Sequence, residues 1–333
     1  MYLCRRGLLR GASALPLVSI GHARAADKTL RFATNMAVEH PMNVRGQEAC
    51  DAIAAATKGA VQVKLHPNSE LGSDGAVLDK LLKGEIDFFL VAGFVMSTAV
   101  PRASINGIGY SFKDYAQVWA AMDGKLGAFI RAEMAGRGLI AMDRIWNAGF
   151  RQTTNSLRPI RTPEDLKGMT VRVPVSPLWT SMFQALGATT ATLDFSKVYA
   201  ALESKEVHAQ ENALAVVKAS KFYEVQSFCT LTNHIWDGKW VVASGAVWES
   251  LGPRNRDIIA AEFDKAAGAE RADLNRMNPE LRGDLAETGL RINNVDTTAF
   301  QRQLQQAGFY KQQREIYGDK AWNLLQDNVG ALT

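Results

Sequence analysis

The chain has 333 residues, with 38 Lys and Arg, 34 Asp and Glu and a formal net charge of +4. The length suits roughly two domains, and an apolar share of 47% excludes wholesale disorder. No stretch reaches the ~18 apolar residues of a membrane span, and without Arg5, Arg6, Arg10 and Arg24 the charge balances at 34 basic against 34 acidic, which excludes a global attraction to nucleic acid or anionic lipid.

Residues 1–25, MYLCRRGLLRGASALPLVSIGHARA, read as an export signal. A basic start precedes a weakly apolar run from Gly11 to Gly21, and Ala23-Arg24-Ala25 has the small-x-small form that places cleavage before Ala26. Arg5-Arg6 fits a twin-arginine signal and a plain Sec signal alike. Either route delivers the protein to the periplasm. Cys4 precedes the apolar run and so cannot be a lipoprotein acceptor. Cys50 and Cys229 remain, distant in sequence and outside any C-x-x-C pair; they read as buried thiols.

Leu30 and Phe32 alternate with Thr29, Arg31 and Ala33 and predict a first strand. Pro41 opens an Ala-rich helix to about Lys58, stopped by Gly59. Val61, Val63 and Leu65 predict a second strand ending at Pro67. Asp74 caps a helix through Val77, Leu78, Leu81 and Leu82, and Phe88 to Ala92 reads as a buried third strand. Strand, helix, strand, helix, strand is the pattern of a parallel α/β sheet with right-handed crossovers.

The pattern restarts in the second half. Met169, Val171 and Val173 mark a strand broken by Pro174, and Ser176-Pro177 starts a helix with Leu178, Met182 and Leu186 as its apolar stripe. Thr189 to Leu193 is a short strand, and Ser196 caps a helix through Val198, Tyr199 and Leu202. Val207 to Gln210 is another strand, and Asn212 opens the next helix. Leu251 to Leu290 reads as one extended helix despite Pro279, and residues 298–327 read as helical with a break at Gly308.

Phosphate-loop, dinucleotide, nucleophile-elbow and H-E-x-x-H motifs are all missing from the sequence. His40, His66, His208 and His234 show no metal-ligand spacing; only His40 and His208, near predicted strand ends, stay as pocket candidates. In open α/β sheets ligands sit beyond the carboxyl ends of strands. In the second unit those ends carry Arg172, Asp194-Phe195 and Glu211-Asn212. Arg172 points away from the apolar face of its strand, and a guanidinium matches a carboxylate with two parallel hydrogen bonds. Asn212 at a helix start would add backbone donors, and Phe195 an apolar wall. Arg151, where the units meet, is either a second cation for the ligand or a crossover-strand arginine paired to a nearby acid. Trp146, Trp179 and Phe183 are either pocket walls or core; the last two are four apart on one helix, which favours packing.

Five stretches in order carry a specific resemblance: LRFATNMAVEHP (30–41), HPNSELGSDGAVLDKLLKGEID (66–87), RPIRTPEDLKGMTVRVPVSPLW (158–179), ALGATTATLDFSKVYAALESKEV (185–207), and QENAL (210–214) with TNHIWDG (232–238). Together they resemble the solute-binding proteins of tripartite ATP-independent periplasmic (TRAP) transporters, the dicarboxylate-binding-protein family. The resemblance implies an α/β, two-lobed periplasmic-binding-protein-like (type II) fold with mixed sheets, crossover strands and a long connecting helix. Lobe I would comprise 26–149 plus about 238–277, and lobe II 150–237 plus about 278–331.

The resemblance also implies that Arg172 of V-R-V-P is the main carboxylate ligand. It implies a second carboxylate contact at Arg151 of G-F-R-Q, and ligand contacts at Asn212 and Phe195. The chain departs from the family pattern at His208-Ala209 and at Ala213, and Ala92 replaces the Glu carried by sialic-acid binders. Phe94, Trp146 and Trp179 lean toward a compact or aromatic acid, and Glu39 and His40 lie in the first-lobe segment that would close over it. The expected protein is not an enzyme and needs no cofactor and no metal. Its expected partners are a small organic-acid anion and the small and large membrane subunits of the transporter. The alternatives are a secreted enzyme on the same fold and a ligand-binding sensor subunit.

Overall fold

The structure is a computed structural model, and it describes residues 28–332. The export-signal segment lies outside the described residues. The first half contains β1 (Lys28–Thr34), α1 (Pro41–Ala56), β2 (Val61–His66), α2 (Asp74–Leu82), β3 (Phe88–Ala92), α3 (Gly93–Met96), α4 (Tyr115–Met122), α5 (Lys125–Ala135) and β4 (Leu139–Ala141). The second contains β5 (Trp146–Asn155), β6 (Thr170–Val173), α6 (Pro177–Ala185), β7 (Thr189–Thr192), α7 (Val198–Glu203), β8 (Ala209–Ala213), α8 (Leu214–Ala219) and β9 (Phe228–Leu231). The chain then returns through β10 (Trp236–Ser244), α9 (Gly245–Glu249) and the 35-residue α10 (Pro253–Glu287) to β11 (Arg291–Asn294), α11 (Thr297–Gln306), α12 (Phe309–Tyr317) and α13 (Asp319–Val329).

β1 pairs in parallel with β2 and β3, and β6 in parallel with β7 and β8. Two antiparallel strands join these halves. β10 lies between β3 and β5, and β5 between β10 and β8, giving the order β2-β1-β3-β10-β5-β8-β6-β7. This mixed, two-lobed sheet is the expected fold class. The two joining strands are almost wholly buried, as strands covered on both faces must be. The ladder between them slips at Asp237/Gly238, a bulge that re-aims the side chains on either side.

Local chemistry explains the element ends. Pro41 opens α1 with His40 Nδ1 accepting from the Met42 N–H, and Ser176 accepts from the Trp179 N–H ahead of Pro177. Both are N-cap contacts relieving an unpaired helix donor. Three sequence expectations need correction. Ser73, not Asp74, caps α2, because its Oγ accepts from the Ala76 N–H. Asp194, not Ser196, caps the helical turn after β7, accepting from the Ser196 N–H and hydroxyl. Asn212 lies inside β8 rather than at a helix start, because Gln152 pairs with it across the ladder; α8 begins two residues later. A second break at Gly318, φ +78°, divides the C-terminal helical region.

α10 runs as one helix through Pro279 and packs on α1, β5, α8 and β11, elements of both halves. The C-terminal helices, which the sequence reading gave to lobe II, touch both halves: α11 and α12 pack on α6, whereas α13 packs on α4 and α5. Cys50 and Cys229 are buried free thiols, pushed up to about 12 by burial.

Candidate functional site

A cavity of about 250 Å³ opens where the two halves meet. The first half supplies Asn35 and Met36 beyond β1, Ser73 to Gly75 at the start of α2, and Phe94, Val95 and Thr98 around α3. The second half supplies Arg172, Pro174, Val175, Asp194, Phe195, Asn212 and Val216, and the joining strands supply Ala148, Arg151, Asp237 and Lys239. α3 seats Phe94 only because residue 93 is glycine: a Cβ there would sit 2.3 Å from the Ala103 carbonyl oxygen.

Arg172 is the third residue of β6, only 2% exposed. Its Nε and Nη2 donate to the Leu193 carbonyl at 3.0 and 2.6 Å. Among the described residues no carboxylate pairs with it, and burial lowers its guanidinium to about 10. A buried, hydrogen-bonded but unneutralised guanidinium is costly on its own and becomes favourable when an anion arrives.

Arg151 is in the contrary state. Its Nε and Nη2 grip both carboxylate oxygens of Glu211, Nη2 at 2.8 Å; Nη2 also donates to the Glu211 carbonyl, and Nη1 donates to Asp237 Oδ2 at 2.9 Å. Burial opposes its charge, but Glu211 and Asp237 together raise its pKa. Glu211 also receives a 3.0 Å hydrogen bond from His234 Nε2, while His234 Nδ1 lies 2.7 Å from the Thr232 hydroxyl. Burial would raise the Glu211 carboxyl, yet Arg151 and His234 hold it at about 2; burial keeps His234 neutral. Of the two readings of Arg151, the structure displays the internal ion pair, with one Nη1 hydrogen unspent among the described residues on a side chain that lines the cavity.

Lys239 was not anticipated. The residue is 4% exposed, and its ammonium donates to Asn35 Oδ1 and has no ion-pair partner among the described residues. Asn35 Nδ2 in turn donates to Asp74 Oδ2 at 2.8 Å. Burial lowers Lys239 and raises Asp74, each partly restrained by the other's charge. The local signal was a pair of alternate charges, Asp237 and Lys239, opening an apolar stretch that runs to Ala243, which reads as core unless its strand borders a cavity.

The other sequence candidates divide. Phe94, Phe195 and Asn212 line the cavity, and the Asn212 Nδ2 donates to Gln210 Oε1 at 2.7 Å. Trp179 is a correction: it lies behind Phe94, ring centroids 5.0 Å apart, and does not line the cavity. Trp146 is another, fully buried in the core under β5. Glu39 is exposed and away from the cavity. His40 is consumed as the α1 cap and held neutral by burial, at about 3. His208 accepts from the Thr170 N–H at 3.0 Å, a structural role outside the cavity. No group of His, Cys, Asp and Glu among the described residues is arranged to hold a metal.

Residues 32–314 match bacterial extracellular solute-binding protein family 7, and the chain belongs to that family. It is 29% identical over 285 residues to the 2,3-diketo-L-gulonate-binding periplasmic protein of Escherichia coli, covering 85% of this chain and 87% of that one. It is 30% identical over 256 residues to the sialic acid-binding periplasmic protein of Vibrio cholerae, covering 77% and 79%. Among solved structures it is similar to a TRAP periplasmic solute binding protein from Sulfurospirillum deleyianum with bound succinate, at 25% identity and a TM-score of 0.86, covering 92% of this chain and 100% of that one.

Proposed function

We propose that this protein is the periplasmic solute-binding component of a TRAP transporter, holding a small organic acid between its lobes with Arg172 as the carboxylate anchor. The observation that carries the reading is the Arg172 guanidinium, buried on the cavity without an acid of its own. The three relatives named above carry different ligands, a diketo sugar acid, a nine-carbon sugar acid and a dicarboxylate, and the chemical feature common to them is a carboxylate. Arg151 offers its remaining hydrogen beside the anchor, and Asn212 and Phe195 complete the second-lobe wall. Desolvating the ion pair costs several kcal/mol, so these added donors help make binding net favourable.

The protein is exported by its N-terminal segment, cleaved near Ala25, and hands the acid unaltered to the small and large membrane subunits. A thermal-shift screen of small organic acids tests the reading. A ligand at 100 times its dissociation constant stabilises by about 2.7 kcal/mol, and Arg172→Ala should abolish the shift while leaving the fold intact. Unchanged affinity in that variant would reject the anchor, and recovery of a chemically altered acid would reject the binding-protein role.

A further inference from the structure

The wall that the first half gives to the cavity holds a second polar group, made of Lys239, Asn35 and Asp74. All three side chains are at least nine-tenths buried. The Asn35 amide lies between the other two, its oxygen accepting from Lys239 and its nitrogen donating to Asp74. These two partners fix the orientation of the amide. An ammonium has three hydrogens and a carboxylate about four acceptor sites. Each residue here spends one on Asn35 and, among the described residues, makes no other side-chain hydrogen bond or ion pair. The relay therefore ends in spare donors on Lys239 and spare acceptors on Asp74, both on the cavity.

A ligand hydroxyl satisfies both ends, because it accepts from the ammonium and donates to the carboxylate. A second carboxylate can accept from Lys239 but has no proton for Asp74 and meets its like charge. An ammonium can donate to Asp74 but confronts Lys239. The cavity, about 250 Å³, limits the ligand to a small acid. Phe94, Val95, Ala148 and Val216 give the rest of the wall an apolar character. Resting on the assignment of Arg172 as anchor, we propose that the ligand is a short-chain hydroxy monocarboxylate, with its carboxylate on Arg172 and one hydroxyl read by Lys239, Asn35 and Asp74.

Calorimetry with butyrate, 2-, 3- and 4-hydroxybutyrate and succinate tests this on the intact mature protein. One hydroxybutyrate should bind about tenfold or more tighter than both butyrate and succinate. Lys239→Met and, independently, Asp74→Ala should shrink that preference, read as the ratio of hydroxybutyrate to butyrate affinity within each variant, to about twofold or less. Two variants at different positions guard against one that misfolds, and the wild-type ranking needs neither. Succinate binding tightest, with the loss confined to Lys239→Met, would overturn the inference and leave the Arg172 anchor standing. Butyrate binding as well as every hydroxybutyrate would overturn it in the same way. No binding by any acid, or unchanged affinities in Arg172→Gln, would overturn the inference together with the reading beneath it.

Discussion

Arg151 and Arg172 line one cavity in opposite states of charge compensation. Arg151 is neutralised by Glu211 and Asp237, which stand on β8 and β10 to either side of its own strand, and it ties three adjacent strands together. Arg172, one strand beyond β8, hydrogen-bonds among the described residues only to the carbonyl of Leu193. The first arginine is paired within the fold, and the second, on the proposed reading, is held for the ligand at the expense of the fold.

Arg172 should therefore weaken the empty protein. Its folded pKa of about 10 lies below the ordinary 12.5, so the penalty is complete below about pH 10 and is relieved as pH rises from there toward 12.5. At neutral pH this is on the order of 3 kcal/mol. Arg172→Met is expected to raise the thermal midpoint of the unliganded protein and to remove any rise on adding acid. A lower midpoint in the empty variant would show that the arginine supports the fold.

Glu211 carries the reverse sign. Its folded pKa of about 2 lies below the ordinary 4.5, so its contribution is complete above about pH 4.5 and is lost as pH falls through about 2. Glu211→Gln should cost about 3–5 kcal/mol, because Arg151 is left buried with Asp237 alone. Denaturant titrations of both proteins should converge as pH falls across that window; a constant difference would show that the charge is not what matters.

Glu270 on α10 is buried, accepts from the Asn147 N–H at 2.9 Å through Oε2, and has no partner for Oε1 among the described residues. Burial pushes it up to about 8. A raised acid contributes below its unfolded pKa and loses that contribution as pH climbs through its folded value. Glu270→Gln keeps an acceptor for Asn147 and removes the titration. Its stability advantage over wild type should grow as pH rises from about 4.5 to about 8 and level off above that, read from paired melting curves. A flat difference would contradict the burial argument.

Gly107 packs beneath Trp179: a Cβ there would lie 2.5 Å from the Trp179 ring. Gly107→Ala must move that ring, which supports Phe94 on the cavity wall. Overpacking of this kind costs about 1–3 kcal/mol. Reduced denaturant stability accompanied by weaker acid binding is expected; loss of stability with unchanged affinity would uncouple Trp179 from the cavity.

Much of the parallel part of each half could be read from local pattern. Leu30 and Phe32, or Val61, Val63 and Leu65, alternate because one face of each strand is covered, and Ser176-Pro177 states a helix start in two residues. Arg172 was legible for the same reason, as a lone charge between Val171 and Val173 just ahead of Pro174. What stayed hidden depends on long-range return. Lys239 reaches the cavity because β10 comes back between β3 and β5, about 150 residues after Ala92, with which it pairs. Asp74 looked like a helix cap because nothing nearby in sequence announces Asn35 as its partner. Asn212 looked like a helix start because the strand it continues is polar: Gln210, Glu211 and Asn212 hydrogen-bond within the cavity floor and the Arg151 network, so they lack the apolar alternation that marks a strand.

The sheet and its connections divide the labour of recognition unequally. Arg172 and Lys239 project from strands whose neighbours hold them by ladder hydrogen bonds, whereas Asn35, Ser73 and Gly75 sit in the connection after β1 and at the entrance to α2. Connections tolerate substitution and changes of length that strands do not. On the proposed binding mode, retuning this protein toward a new cargo proceeds by editing Asn35, Met36 and Ser73 to Gly75, with the paired framework and its cations inherited intact.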